Sequence, residues 1–210
     1  MPREGLGPSR PRRSRTKRGV DLVVAGVGLI VAAPLVAACA ALIRVVDGPP
    51  VMFRQWRSGR GGRPFELCKF RTMTPGSDDP ATDDARVTRL GRHLRATSLD
   101  ELPTLWNVIR GEMSLVGPRP LPVRYLERYT PEQARRLDVD PGITGLAQVG
   151  GRNRLAWEER FALDVAYVDD RSLRLDLRIL AATARRVVAR DGVEAEGSLT
   201  VAEFTGAGRP

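Results

Sequence analysis

Residues 22–43 read LVVAGVGLIVAAPLVAACAALI, and how this stretch meets a membrane decides the fold. It carries no charge over 22 residues, and a helix of that length crosses a hydrocarbon core of roughly 30 Å. A cleavable signal sequence fits less well, because the apolar part would be too long and no polar cleavage region follows. A buried helix of a soluble domain is the remaining alternative. Seven Lys or Arg residues precede the stretch (Arg3, Arg10, Arg12, Arg13, Arg15, Lys17, Arg18), and five follow within twenty residues (Arg44, Arg54, Arg57, Arg60, Arg63). Positive charge marks the cytoplasmic flank of a membrane segment, so both ends read as cytoplasmic. A straight span satisfies one flank only. A re-entrant helix that bends at Pro34 and returns satisfies both, since proline removes a backbone hydrogen bond and crowds the preceding turn. On charge alone, an ordinary span with a mild proline kink stays open.

Outside this stretch, residues 1–16 are rich in Pro, Gly, Ser and Arg without apolar periodicity, which predicts a disordered basic tail. Residues 192–210 predict a flexible tail. The membrane-embedded segment is then 17–45, and a cytosolic domain spans 46–191. A formal charge of +9 and a pI near 10.8 call for an anionic partner: nucleic acid, anionic lipid or a phosphorylated substrate. Cys39 and Cys68 make neither a disulfide framework nor a zinc site, which suits a reducing, cytosol-facing setting.

The runs VMFRQW (51–56) and PFELCKFRTM (64–73) alternate apolar and polar residues around a Gly-rich connection, the signature of a β-hairpin. Residues 74–86 form an acidic loop whose Asp78, Asp79, Asp83 and Asp84 lack calcium-loop spacing and read as solvated charges. His93, the single histidine, anchors no nucleophile–His–acid arrangement. Helical patterns cover 86–96, 103–110, 120–129, 131–137, 156–168 and 173–190, the last with arginines among apolar residues, as on a helix lying on protein or at an anionic membrane surface. Trp56, Trp106 and Trp157 suit either a headgroup interface or an ordinary core. The expected fold class is therefore mainly α with a small β-hairpin (α/β), with a proline-kinked N-terminal helix and amphipathic interfacial helices.

The chemistry is concentrated in ATSLDELPTLWN, residues 96–107. Ser98 and Glu101 fit a capping box, but Pro103 would then fall at the fifth helical position, where its missing N–H forfeits a bond. Proline is favoured at the first position, so the helix is expected to start at Pro103 and stop at Gly111. Asp100 and Glu101 would stand just before its positive end, with Arg89, Arg92 and Arg95 nearby in sequence. In such surroundings Asp100 is expected to keep a low pKa. An ionised aspartate is a poor general acid and a competent nucleophile towards phosphorus. Attack on a phosphate diester also needs its negative charge offset, by Mg2+ on the phosphate oxygens and by Arg or Lys clamps. A second carboxylate beside the nucleophile could hold that metal.

Five segments together resemble the bacterial sugar transferases, the monotopic polyprenyl-phosphate phosphoglycosyl transferases in their minimal catalytic form. They are KRGVD (17–21), FRQWRSGRGGRPFELCKFRTM (53–73), LGRHLRATSLDELPTLWNVIRGEMSLVGPRPLP (90–122), DPGITGLAQVGGRN (140–153) and LDVAYVDDRSLRLDLRIL (163–180). The resemblance implies a monotopic enzyme of the bacterial inner membrane with its catalytic domain on the cytosolic face. Such an enzyme transfers a sugar-1-phosphate from a UDP-sugar to undecaprenyl phosphate, releases UMP and starts a lipid-linked glycan. It implies Asp100 as covalent nucleophile and Glu101 as its partner in acid–base steps, with both placing Mg2+. Lys17, Arg95, Arg119 and Arg152 match phosphate- or nucleotide-binding cations. Membrane lipids are expected partners and nucleic acid is not; downstream glycosyltransferases and a second copy of the chain are further candidates. The family commonly breaks its membrane helix with Ser-Pro. Here the pair is Ala33-Pro34, so the hydroxyl is missing and the proline remains. Two other readings compete: a membrane-tethered basic binding module for anionic lipid or nucleic acid, and a Mg2+-dependent phosphatase or nuclease.

Overall fold

The computed structural model describes residues 14–76, 83–151, 155–189 and 203–206. Helix α1 (Arg15–Val46) takes in the whole apolar stretch and stays helical through Pro34. Ser14 caps it by accepting from the Lys17 N–H. Asp21, Ala25, Cys39 and Ile43 are buried, on one stripe at helical spacing. The opposite side is apolar and bare, with Ile30 and Val31 76% and 75% exposed. A 32-residue helix is about 48 Å long, yet both of its ends are bonded to the rest of the protein. Near the start, Arg18 donates to the Val108 and Ile109 carbonyls (2.6 and 2.9 Å), and Asp21 accepts from the Leu115 N–H (3.1 Å). At the far end, Cys39 and Ile43 pack on Phe70 and Leu94. There Asp47 accepts from the Thr88 hydroxyl (2.9 Å), and Arg71 donates to the Asp47 carbonyl (2.8 Å).

The hairpin forms as expected. Strands β1 (Met52–Ser58) and β2 (Pro64–Phe70) pair antiparallel from Met52↔Phe70 to Ser58↔Pro64. They turn through Arg60–Gly62, where Gly61 and Gly62 take positive φ. Then follow α2 (Asp83–Arg86), α3 (Arg89–Ala96), a 3-10 helix (Leu99–Thr104) and α4 (Leu105–Arg110). The stop at Gly111 holds: its φ is 82° and its N–H bonds back into α4. A second sheet was not legible in the sequence. β3 (Ser114–Val116) and β4 (Gly142–Thr144) pair in parallel, each three residues long and too short to show a period. They meet at close-set backbones, since a Cβ on Gly142 would lie 2.1 Å from the Gly117 nitrogen.

The pattern at 120–129 resolves into a 3-10 helix (Val123–Arg128), and that at 131–137 into α5 (Pro131–Ala134) followed by a 3-10 turn (Arg135–Asp138). Helices α6 (Leu146–Gly150), α7 (Trp157–Asp169) and α8 (Leu173–Ala189) complete the order. α8 shows the expected mixed outer face, with Leu173, Arg174, Leu177 and Arg178 all exposed. The core gathers Phe65, Leu67, Val108, Met113, Val116, Tyr167 and Ile179 around Ala25 of α1. A satellite aromatic cluster holds Tyr125, Tyr129, Trp157, Phe161 and Phe204. Phe204 lies within the expected flexible tail, yet it is 2% exposed, so residues 203–206 depart from that expectation. Trp157 thus belongs to a core, whereas Trp56 and Trp106 are 61% and 50% exposed. Asp78 and Asp79 of the acidic loop lie outside the described residues. His93 is exposed, its ring nitrogen on the Arg89 carbonyl.

Candidate active site

The carboxylate pair is positioned by a strained turn. Thr97 closes α3, and Ser98 follows in the left-handed region (φ 58°, ψ 17°) with no capping bond from its side chain. That conformation costs a non-glycine residue about 1–2 kcal/mol. It swings the chain into the 3-10 helix, where the Glu101 N–H bonds the Ser98 carbonyl at 3.2 Å. The acids therefore sit inside the first turn of a 3-10 helix containing Pro103, rather than just ahead of a helix starting at Pro103. The capping box is not made. Thr104 and Asn107 then staple this segment to the free edge of β2: the Thr104 hydroxyl donates to the Cys68 carbonyl (3.0 Å), and the Asn107 side-chain oxygen accepts from the Cys68 N–H (3.1 Å). Asn107 also donates to the Glu66 carbonyl and Glu112 (2.8 and 2.7 Å).

The staple brings Lys69 of β2 onto Glu101, with Nζ 2.5 Å from Oε1. Arg119, in the Gly117–Pro120 loop after β3, reaches the same oxygen at 3.2 Å. Arg95 donates to the Thr72 hydroxyl (2.9 Å) and adds its charge near Asp100. Asp100 is 9% exposed, and among the described residues its carboxylate accepts no hydrogen bond. The two adjacent acids thus have opposite fates. Burial, with the neighbouring Glu101 charge, pushes Asp100 up to about 6 against the pull of Lys69, Arg95 and Arg119. Burial also acts to raise Glu101, but Lys69 and Arg119 outweigh it and hold that carboxyl below its ordinary value. Burial lowers Lys69, opposed by Glu101. The expected low pKa of Asp100 is thereby overturned, because the cations bond its neighbour and leave Asp100 desolvated. At neutral pH Asp100 is still mostly ionised: buried, without a hydrogen bond among the described residues and near the charges of Lys69, Arg95 and Arg119, it has the character an oxygen nucleophile needs.

Of the residues named from sequence, Asp100, Glu101, Arg95 and Arg119 come together. Lys17 does not join them. Its Nζ is 2.7 Å from Asp176 of α8, and Asp176 also accepts from the Tyr167 hydroxyl (2.7 Å), so Lys17 anchors the start of α1. Arg152 lies outside the described residues. Pro34 sits within α1. Lys69 was not nominated, although a signal existed: strand alternation puts it on the face of the buried Phe65 and Leu67, where a lysine is rare unless paired. A cavity of about 460 Å³, lined by Arg60, Arg63, Phe65, Glu112 and Asp140 among others, opens at the other end of β2, and neither carboxylate lines it.

Comparison with known proteins shows the family. The bacterial sugar transferase profile matches residues 12–190. The uncharacterized sugar transferase EpsL of Bacillus subtilis is 47% identical over 195 residues, covering 91% of this chain and 96% of that protein. The UDP-glucose:undecaprenyl-phosphate glucose-1-phosphate transferase of Caulobacter vibrioides is 43% identical over 188 residues, covering 83% and 70%. The undecaprenyl-phosphate galactose phosphotransferase of Salmonella typhimurium is 40% identical over 196 residues, covering 84% of this chain and 41% of that longer protein. With a profile match over residues 12–190 and a relative 47% identical along 91% of this chain, the chain belongs to the bacterial sugar transferase family.

Proposed function

We propose that this protein transfers a sugar-1-phosphate from a UDP-sugar to undecaprenyl phosphate through a covalent intermediate on Asp100. An Asp100 carboxylate oxygen attacks the sugar-proximal phosphorus, the bond to the bridging oxygen breaks, and UMP leaves with the bonding electrons. The resulting aspartyl-phosphosugar is attacked by a phosphate oxygen of undecaprenyl phosphate. Asp100 is thereby released, and the lipid-linked sugar diphosphate that starts a glycan is formed. Arg119 and Arg95 offset the phosphate charge that would otherwise repel the nucleophile. The relatives differ in the sugar they name, glucose in one and galactose in another, so the sugar is left open. The observation that carries the proposal is the contrast within the pair: Glu101 is bonded by Lys69 and Arg119, while Asp100 beside it is buried and, among the described residues, accepts no hydrogen bond.

The residues fit Mg2+. Both cation contacts to Glu101 fall on Oε1, leaving Oε2 and the Asp100 carboxylate as hard oxygen donors. Mg2+ is commonly held by one or two carboxylates together with substrate phosphates. Among the described residues there is no larger cluster of metal-binding side chains. Bound there, Mg2+ would neutralise charge on the diphosphate.

A monotopic, re-entrant placement on the cytosolic face of the inner membrane is part of this proposal. It is supported by α1, whose two ends bond the same domain while its outer face is apolar. A straight span would hold those ends a bilayer apart. UMP release assayed over a panel of UDP-sugars, with undecaprenyl phosphate and Mg2+ in detergent, tests the function. The expected result is lipid-dependent turnover with one sugar class. Without the lipid, the peptide containing Asp100 should gain the mass of one sugar phosphate. Undiminished turnover in Asp100→Asn would sink the mechanism. Salt-sensitive lipid or nucleic-acid binding with no turnover would favour a basic binding module.

A further inference from the structure

The Glu203–Gly206 segment is far in sequence from the carboxylates, yet it is built into the support of the Arg119 loop. The Phe204 ring is 2% exposed and fills the centre of an aromatic cluster. Its centroid lies 4.9 Å from Phe161, 5.4 Å from Trp157, 5.7 Å from Tyr125 and 6.0 Å from Tyr129, stacked on the last at 26°. Polar contacts fix the backbone and the preceding side chain. The Phe204 N–H donates to the Tyr125 hydroxyl (3.2 Å), Arg128 donates to the Phe204 carbonyl, and Glu203 pairs with Arg124 and Arg128 (3.0 and 2.9 Å).

From this cluster a short chain of contacts leads to the site. Tyr129, under the Phe204 ring, accepts from Arg136 through its hydroxyl (3.2 Å). Arg136, itself 2% exposed, donates to the Arg119 carbonyl at 2.7 Å and is held by Asp164 at 2.7 Å. The other side of the same loop is tied to β1. Arg57 donates to the Pro120 carbonyl (3.3 Å), and the Ser58 N–H and hydroxyl donate to the Leu121 carbonyl (2.9 and 3.0 Å). The loop presenting Arg119 is therefore gripped between the hairpin and Arg136, with Phe204 backing the Arg136 side.

We propose that Phe204 is a positioning residue: docked among Tyr125, Tyr129, Trp157 and Phe161, it sets the Tyr129–Arg136 contact that fixes the Arg119 carbonyl and so aims Arg119 at the substrate phosphate. This rests on the transferase reading above. The cluster stands apart from the main core, which Phe204 does not touch, so its loss should loosen this loop before it unfolds the domain. Tyr129 joins the 3-10 helix Val123–Arg128 to the loop before α5 and is only partly buried, so it is the neighbour most able to relax into the space a lost ring would leave.

The test is steady-state kinetics of full-length Phe204→Ala with its active UDP-sugar, undecaprenyl phosphate and Mg2+. KM for the UDP-sugar should rise about tenfold with kcat changed much less, because small displacements of a phosphate clamp weaken binding steeply. Phe204→Leu should recover part of the loss. A free peptide of sequence VAEFTGA, supplied in excess, should restore KM in Phe204→Ala. If Phe204→Ala fails to fold, Glu203→Gln, which loosens the same docking without opening a cavity, should show a smaller rise in KM. An unchanged KM in every folded variant, with only a lower melting temperature, would overturn the positioning role. Absence of UDP-sugar turnover in the unaltered protein would instead overturn the transferase reading on which it rests.

Discussion

Replacing Asp100 by Asn should abolish turnover and at the same time stabilise the protein near neutral pH. The buried carboxyl holds its proton more tightly in the folded state than in the unfolded chain, so ionising it weakens the fold. Below the ordinary aspartate value of 3.8 this penalty is absent; it develops as pH rises and is complete above about 6. The full interval is worth about 3 kcal/mol as an upper bound. An amide left without partners in the same place returns about 1–2 kcal/mol of that gain. The expected net stabilisation is about 1–2 kcal/mol, a rise of roughly 3–6 °C in melting temperature for a domain of this size. Melting in detergent micelles should be followed from about pH 3.5 to 8, with EDTA present so that a bound cation does not cancel the charge. The Asn variant should be about 1–2 kcal/mol less stable than the unaltered protein at the acid end, where only the amide cost remains, and should overtake it as pH rises through about 4–6. Glu101 acts in the opposite sense, its held-down carboxyl adding stability that is lost only as pH falls below its ordinary range. An Asn variant less stable at neutral pH, or a gain independent of pH, would refute a desolvated, uncompensated Asp100.

Other substitutions separate chemistry from support. Lys69→Met removes a cation from Glu101 and breaks a mostly buried pair; turnover should be lost and stability should fall by about 2–3 kcal/mol in urea denaturation. Lys17→Met breaks the pair with Asp176, also mostly buried, and should cost about 3 kcal/mol while KM for the UDP-sugar stays unchanged in the folded protein. A raised KM there would return Lys17 to the site. At Ser98 the left-handed backbone tolerates glycine and opposes β-branching, so Ser98→Gly should keep its activity while Ser98→Val loses stability by about 1–2 kcal/mol and turnover with it.

Much of the fold could be read directly from local pattern. The apolar helix, the hairpin with its Gly-rich turn, the stop at Gly111 and the last two helices follow from runs long enough to show a period or a terminator. The parallel pair β3–β4 could not, because three-residue strands are specified by backbone contact between distant glycines rather than by alternation. The 3-10 start at Leu99 was missed for a related reason. Proline preferences favour a helix beginning at Pro103, but tertiary bonds from Thr104 and Asn107 to β2 draw the preceding turn into the structure.

By itself the sequence determined the chemical inventory: an uncharged helix with basic flanks, a pair of adjacent carboxylates, and a surplus of arginine suited to phosphate. Only the tertiary structure decided how the surroundings of the two acids differ. Two neighbouring carboxylates look equivalent in one dimension, and their difference comes from long-range partners. Lys69 and Arg119 converge on Glu101, while the turn at Ser98 buries Asp100 without a hydrogen bond from any described residue. The same physics moved Lys17 out of the site and brought Phe204 in behind the Arg119 loop, because charge pairing and aromatic burial act through space and not along the chain.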